Sequence, residues 1–290
     1  MSVFSDHSLT ATGRSRKIVT AFLSRPGVVL SSLFLVFVAT ATFWPQLVTA
    51  DNPLLADPIK SQLPPSAEHW FGTDHLGRDV FSRVVYGARY SILIGVSAIA
   101  IAALAGSFLG LVAGLTRGIV DEAISRFLDV VSSFPDLLLA LVLISFTGPG
   151  TVNLIFALGV ASVPRFARVV RAQTFVIAKS GYVEQAKTFG LGRNTLVIRH
   201  VLPHAIAQVP ILATIGLGST IIQAAGLSFL GMGPQPPIPE WGAMLAEARN
   251  YLRVAWWIGV WPGVAITLTV IAISILGKRW QLAFEGRRQA

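Results

Sequence analysis

Residues 26–50, 90–116, 205–239 and 254–277 contain no Asp, Glu, Lys or Arg. An α-helix rises 1.5 Å per residue, so about 20 apolar residues cross about 30 Å of hydrocarbon, and each stretch is long enough for one crossing. A chain built this way has lipid as its main solvent. The composition agrees: of 290 residues, 53% are hydrophobic and 13% charged, with a mean hydropathy of +0.66. That is far from the charged surface a soluble globule keeps. There is no cysteine, so disulfides and thiolate metal sites are excluded.

A fifth apolar stretch, residues 127–170, is interrupted by Asp129, Asp136, Arg165 and Arg168 and broken centrally by Gly148, Pro149 and Gly150. It reads as two helices joined by a tight turn. The expected fold class is therefore an all-α membrane protein with six transmembrane helices. A basic start at Arg14, Arg16, Lys17 and Arg25 precedes the first span, and Val48-Thr49-Ala50 resembles a cleavage site, but the apolar core is too long for a signal peptide. The expected organisation is a cytoplasmic amino-terminal segment 1–27, a first transmembrane helix 28–50 and an extracytoplasmic loop 51–89. A five-helix core 90–277, containing a cytoplasmic loop 180–203, and a cytoplasmic tail 278–290 complete it.

The formal charge of +9 is compatible with nucleic-acid binding, but in a chain this apolar the commoner cause is basic loops held on one membrane face. With the amino terminus inside, only Lys60, Arg78, Arg83, Arg89, Arg249 and Arg253 fall outside. Arg165, Arg168, Arg171, Lys179, Lys187, Arg193 and Arg199 share one inside loop, and Lys278, Arg279, Arg287 and Arg288 close the chain. This asymmetry follows the positive-inside rule and predicts a multi-pass protein of the cytoplasmic membrane with both termini cytoplasmic and no nucleic-acid partner.

Gly106, Gly110 and Gly114 recur every four residues in the second span, which puts three bare backbone patches on one helix face and predicts a packing seam. The inside loop reads Gly181-Tyr182-Val183-Glu184-Gln185-Ala186-Lys187-Thr188-Phe189-Gly190 and continues to Ile198-Arg199-His200-Val201-Leu202-Pro203. It predicts two short helices with a corner. Val183, Ala186 and Phe189 with Gly190 make a mildly amphipathic turn, Gly190 suits a helix end, and Pro203 suits the opening turn of the next helix. A protein contact and an interfacial helix resting on anionic lipid are both open from these residues alone.

The same segment resembles the EAA loop of ATP-binding-cassette importer permeases: Glu184, Ala186, Gly190, Leu202 and Pro203 match the pattern, Val201 approximates its aliphatic position, and Gln185 replaces the middle alanine. Two further segments resemble the dipeptide, oligopeptide and nickel permease family. One is His69-Trp70-Phe71-Gly72-Thr73-Asp74 followed by Gly77-Arg78-Asp79-Val80-Phe81-Ser82-Arg83 and Tyr86-Gly87-Ala88-Arg89. The other is Gly226-Leu227-Ser228-Phe229-Leu230-Gly231 with Gln235-Pro236-Pro237, Pro239, Trp241-Gly242 and Met244-Leu245.

The resemblance implies the type I importer permease fold and a C-type subunit. It implies that Glu184, Gln185, Ala186, Gly190, Leu202 and Pro203 form a coupling helix and its flank, which dock on an ATPase. A homologous second permease, two ATPase subunits holding ATP and Mg, and an extracytoplasmic binding protein are implied as partners, with peptides as the solute. The tail Lys278-Arg279-Trp280-Gln281-Leu282-Ala283-Phe284-Glu285 departs from the family's usual ending, so no function is carried onto it.

For Gly72, Asp74, Gly77, Arg78 and Asp79, two readings stand: a structured loop that meets the binding protein or closes the pore mouth, and internal turn-making. His69, Asp74 and His75 lie close together, but no further outside histidine is available and no metal site is expected. Asp129 and Asp136, seven residues apart in span three, are expected on one helix face about 10 Å apart, as candidates for the translocation pathway or a subunit interface. Pro135 in that helix permits bending. The sequence has no phosphate-binding Gly-x-x-x-x-Gly-Lys-Ser/Thr loop, no Gly-x-Ser-x-Gly elbow, no His-Glu-x-x-His helix and no cysteine nucleophile. The chain is therefore expected to carry no catalytic residue and no cofactor of its own. A secondary transporter, the competing class, predicts intramembrane charge pairs or discontinuous helices in two related halves.

Overall fold

A computed structural model describes residues 26–116 and 118–288, with side chains to residue 283. The basic start at Arg14, Arg16, Lys17 and Arg25 lies outside the described residues. The described chain is helical, and its one strand-like pairing is an isolated antiparallel bridge between Thr73 and Asp79. The helices are α1 (Pro26–Phe43), α2 (Val80–Thr116), α3 (Gly118–Ser132), α4 (Asp136–Thr147), α5 (Thr151–Ala178), α6 (Gly181–Thr188), α7 (Arg193–Leu196), α8 (Leu202–Ala205), α9 (Val209–Phe229), α10 (Trp241–Ala248) and α11 (Trp257–Arg288). Among the described residues α1, α2, α5, α9 and α11 are each long and apolar enough to cross a membrane, and α3 with α4 makes a sixth candidate bent by 89°.

The boundaries differ from those expected wherever proline or side-chain capping overrides hydropathy. The first helix stops at Phe43, not at residue 50, because Pro45 follows and opens a 3-10 turn, Pro45–Leu47. The second begins at Val80, ten residues inside the expected loop, because the Asp79 carboxylate accepts from Ser82 N at 2.8 Å and caps it. At the other extreme α11 runs on to Arg288, through the expected tail.

Span three is the main correction. Ser133, Phe134 and Pro135 interrupt it, so Asp129 lies in the last turns of α3 while Asp136 is the first residue of α4, across the 89° bend. The two carboxylates do not share a helix face. Pro135 precedes α4 and does not bend a continuous helix; its ring disfavours helical backbone at Phe134, which places the break there. A second correction concerns Arg165, Arg168 and Arg171, expected in a loop. All three lie inside α5.

The core is the α2–α5 seam. A β-carbon on Gly106 would stand 2.6 Å from Phe166 Cβ, one on Gly110 2.4 Å from the Ala167 carbonyl oxygen, and one on Gly114 2.5 Å from Thr174 Cβ. The glycine stripe is thus the surface against which α5 lies, and close backbone approach takes the place of the hydrophobic drive that lipid does not supply. On one side Ile94 and Ala98 of α2, Ala140 and Ile144 of α4, Leu154, Leu158 and Ala161 of α5, and Ala224 and Leu227 of α9 form one cluster. On the other, Val38 and Ala41 of α1 join Val85, Trp241, Ile266 and Ile273 in a second.

Candidate functional site

The connections gather at two ends of this bundle. At one, segments 44–79 and 230–256 fold over the mouths of α2 and α9. At the opposite end, a helical hairpin covers the ends of α2 and α5.

At the first end, Asp74, Arg78 and Arg83 are buried and meet Glu247 of α10. Arg78 Nε donates to Asp74 Oδ2 at 2.6 Å, and Arg78 Nη2 and Arg83 Nη2 donate to Glu247 Oε2 at 2.9 and 3.0 Å. Asp74 Oδ1 accepts from Leu76 N at 2.8 Å and Arg78 N at 3.0 Å, folding the turn around its own carboxylate. Two guanidinium groups face two carboxylates, so the cluster is neutral, and each charge withdrawn from water has an opposite charge within hydrogen-bond reach. Gly77 holds φ +77°, and a β-carbon there would stand 1.8 Å from the Asp57 carbonyl oxygen; no other residue fits.

The sequence motifs at this end therefore bind one another. Trp257 Nε1 donates to Thr73 O at 3.0 Å, Trp261 stacks on Phe71 with centroids 3.9 Å apart, and Trp241 Nε1 donates to Val84 O at 2.8 Å. Glu240, also buried, accepts from Gly242 N, Ala243 N and Ser91 Oγ, each at 2.9 Å; this caps α10 and ties it to α2. Of the expected loop candidates, Gly72, Asp74, Gly77 and Arg78 are buried, and Asp79 caps α2 while its other oxygen meets His69 Nδ1 at 3.0 Å. Glu247 and Glu240 were not singled out from the sequence. The available signal was scarcity: after residue 184 the only acids are Glu240, Glu247 and Glu285.

Asp74, His75 and Glu247 place ligand-type atoms within 4.8 Å of one another. Both carboxylates are already engaged by Arg78 and Arg83, whose positive charges oppose a cation there, so these residues do not fit a metal ion. On the rim, Lys60 and Glu68 form an exposed pair. Their hydrogen bond holds the Glu68 carboxyl below its ordinary value and the Lys60 ammonium above its own.

The hairpin at the opposite end has the two helical arms and the corner at Gly190 that the residues predicted. Helix α6 ends in a Schellman motif: Gly190, at φ +82°, donates to Lys187 O at 3.0 Å, and Leu191 N reaches Ala186 O at 3.3 Å. A π-turn at Val197–Val201 runs into α8, where Pro203 supplies no N–H for the Arg199 carbonyl. Val183 is buried with Ile177, Val201 and Ala205, against Leu111 and Leu115 of α2, which fixes the hairpin to the spans. Glu184, Gln185, Lys187 and Thr188 face outward, and Ala186 is half-buried. Phe189, expected on the amphipathic face, is instead 84% exposed. Behind the hairpin, Arg171 of α5 pairs with Asp121 of α3 through both carboxylate oxygens, and Arg168 with Asp129 at 3.3 Å.

Residues 106–289 match the family described as binding-protein-dependent transport system inner membrane component. The chain is 39% identical over 263 residues to the glutathione transport system permease protein GsiD of Pectobacterium atrosepticum, covering 90% of this chain and 87% of that protein. It is also 39% identical over 254 residues to the dipeptide transport system permease protein DppC of Alkalihalophilus pseudofirmus, covering 88% and 83%. A chain of the MetNI methionine ABC transporter in an inward-facing conformation shares the fold, with a TM-score of 0.56 at 19% identity over 69% of this chain and 95% of that one. The chain belongs to the family of binding-protein-dependent transport system inner membrane components, and is a non-catalytic permease subunit of an ATP-binding-cassette importer.

Proposed function

We propose that this permease carries small peptides or peptide-like solutes inward, and that the hairpin of α6 to α8 couples ATP hydrolysis on a separate subunit to movement of the spans. The observation that carries the coupling role is the division of α6 into two faces. Val183 is anchored against α2 and α5, while Glu184, Gln185, Lys187, Thr188 and Phe189 present a polar surface with one exposed aromatic ring. A rigid element held by one face and free on the other transmits a push from a docked partner to the helices behind it. Gly190 ends the helix and Leu202 and Pro203 set the angle of its return, so these residues shape the docking surface while Glu184, Gln185 and Ala186 lie along it.

The expected assembly is this chain with a homologous second permease, two ATPase subunits that hold ATP and Mg, and an extracytoplasmic binding protein, in the inner membrane with both termini cytoplasmic. Charge distribution supports that orientation: Lys179, Lys187, Arg193 and Arg199 cluster around the hairpin. The relatives named for dipeptide and glutathione transport support a peptide-like solute. On this reading the buried Asp74–Arg78–Arg83–Glu247 cluster stiffens the outer mouth and does not itself touch the binding protein. The broken third span is a feature a secondary transporter would share, but among the described residues no second broken span mirrors it.

The test is ATP-dependent uptake of labelled dipeptides into vesicles holding this chain with its partner subunits, comparing the native sequence with Glu184→Lys and Gly190→Pro. Uptake should need the ATPase and fall in both variants while both still insert. Uptake that proceeds without any ATPase, or ignores both substitutions, overturns the coupling role.

A further inference from the structure

Three arginines follow one another at three-residue intervals along α5, and the chain supplies counter-ions for two of them. Arg171 is held by Asp121 and Arg168 by Asp129. Arg165 has no hydrogen-bond or ion-pair partner among the described residues, and it is exposed on the isolated chain. Its guanidinium Nη1 lies 3.6 Å from where a β-carbon on Gly216 of α9 would stand.

Depth makes this arginine costly. Arg165 is about 21 Å along α5 from Thr151, beside an α2 that carries no charge from residue 90 onward and an α9 that carries none at all. Long basic side chains near a membrane surface usually escape by reaching toward that surface. This one turns the other way. Along α2, the neighbour of Val163 and Phe166 is Gly106, whereas the neighbour of Gly216 is Ile99, well over one turn nearer the loop-covered end. The Arg165 guanidinium is therefore directed toward the middle of the bilayer, as the tilt of Cα–Cβ bonds toward a helix amino terminus dictates for α5. A cation so directed is stable facing water or an anion, not hydrocarbon.

Asp136 supplies the complementary half. Helices α4 and α5 run back to back from the turn at 148–150, and Asp136 and Arg165 lie about 18 Å and about 22 Å down them from that turn. Asp136 is exposed at the broken end of α4, where α3 swings away, and has no partner among the described residues. The two residues sit at similar depth along their helices, the Arg165 guanidinium reaching on toward the loop-covered end, and neither charge has a partner among the described residues.

We infer that Arg165 and Asp136 are solute-contacting residues of the translocation pathway, Arg165 taking the carboxylate and Asp136 the ammonium group of a zwitterionic solute as it passes. Transient pairing suits a pathway, because a charge permanently neutralised within the chain has nothing to offer a moving solute. The inference rests on the peptide-import reading above and adds the groups of the solute that are recognised inside the membrane.

The experiment uses the assembled complex in vesicles with a labelled zwitterionic dipeptide, comparing native with Arg165→Gln, Arg165→Lys, Asp136→Asn and, as a control, Arg126→Gln on the exposed face of α3. Arg165→Gln and Asp136→Asn should assemble with the partner subunits, while the rate of uptake falls about tenfold, the loss of one charge-assisted hydrogen bond. Arg165→Lys should retain most of the rate, and Arg126→Gln all of it. Native uptake by Arg165→Gln overturns the inference, as does equal loss in the Lys and Gln variants. Failure of Arg165→Gln to assemble also overturns it, since the counter-ion is then an acid of the second permease. A native complex that takes up no peptide fails the import reading itself, and that result is separate from any comparison among variants.

Discussion

The Glu247 carboxylate accepts from Arg83 Nη2 at 3.0 Å across 164 residues of sequence, joining the start of α2 to the end of α10. Arg78 shares the same oxygen at 2.9 Å. Removing the negative charge leaves two nearly buried guanidinium groups facing only Asp74. Breaking a buried pair from one side costs about 3–5 kcal/mol. Glu247→Gln should therefore lower the thermal midpoint of the detergent-purified protein by several degrees. A midpoint equal to that of the native protein would show that the cluster is not a structural tie.

The rim pair Lys60–Glu68 is the contrasting case. Its contribution is present above the ordinary Glu68 pKa and is lost as pH falls through the lowered folded value; on the alkaline side it is lost as pH rises through the raised Lys60 value. Both side chains are solvated, so screening leaves the pair with little influence. Lys60→Ala should leave the thermal midpoint unchanged across the neutral range. A shift comparable to that of Glu247→Gln would refute the distinction drawn from burial.

Gly110 and Gly226 separate packing glycines from incidental ones. A β-carbon at Gly110 meets the Ala167 carbonyl oxygen at 2.4 Å and the Arg171 nitrogen at 2.9 Å, both backbone atoms that yield only if α5 moves. At Gly226 it meets nothing within 4 Å. Gly110→Ala should destabilise by about 1–3 kcal/mol, the usual penalty for overpacking. Gly226→Ala should be tolerated. Unfolding of both variants in detergent by a graded denaturant gives the comparison, and equal midpoints would rule out the seam.

The sequence announced the spans because lipid forbids charge over about 20 residues, and it announced the hairpin because Gly190 and Pro203 punctuate it. It did not announce the break after Ser132. Hydropathy is blind to a three-residue interruption, and Pro135 reads equally as a kink inside a helix or as a stop between two. Nor did it separate Arg165 from the loop basics, since positive charge near a span end is counted the same whether it lies beyond the helix or within it. The pairing of Asp74, Arg78 and Arg83 with Glu247 was hidden for a different reason: the partners lie in two distant segments, and only the fold brings them together.

Gly190 supports a prediction confined to the hairpin. At φ +82° an alanine is strained by about 1–2 kcal/mol, but nothing lies within 4 Å of its β-carbon. The strain should fall on the Schellman motif alone. In Gly190→Ala the backbone amides at positions 190 and 191 should exchange with solvent faster while the α2–α5 seam keeps its protection. Loosening of both together would mean that the hairpin is part of the cooperative core.

Phe189 distinguishes docking from folding. Its ring is 84% exposed at the end of α6, so the hairpin gains little stability from it. Burying such a ring against a partner contributes about 1.5–3 kcal/mol of hydrophobic stabilisation. Phe189→Asp should leave insertion and the thermal midpoint of the isolated chain unchanged, yet weaken association with the ATPase subunit by about tenfold or more, measured by co-purification over a dilution series. Unchanged association would place the contact on the Glu184 face of α6, whereas a drop in the midpoint of the isolated chain would show that the ring stabilises the hairpin itself.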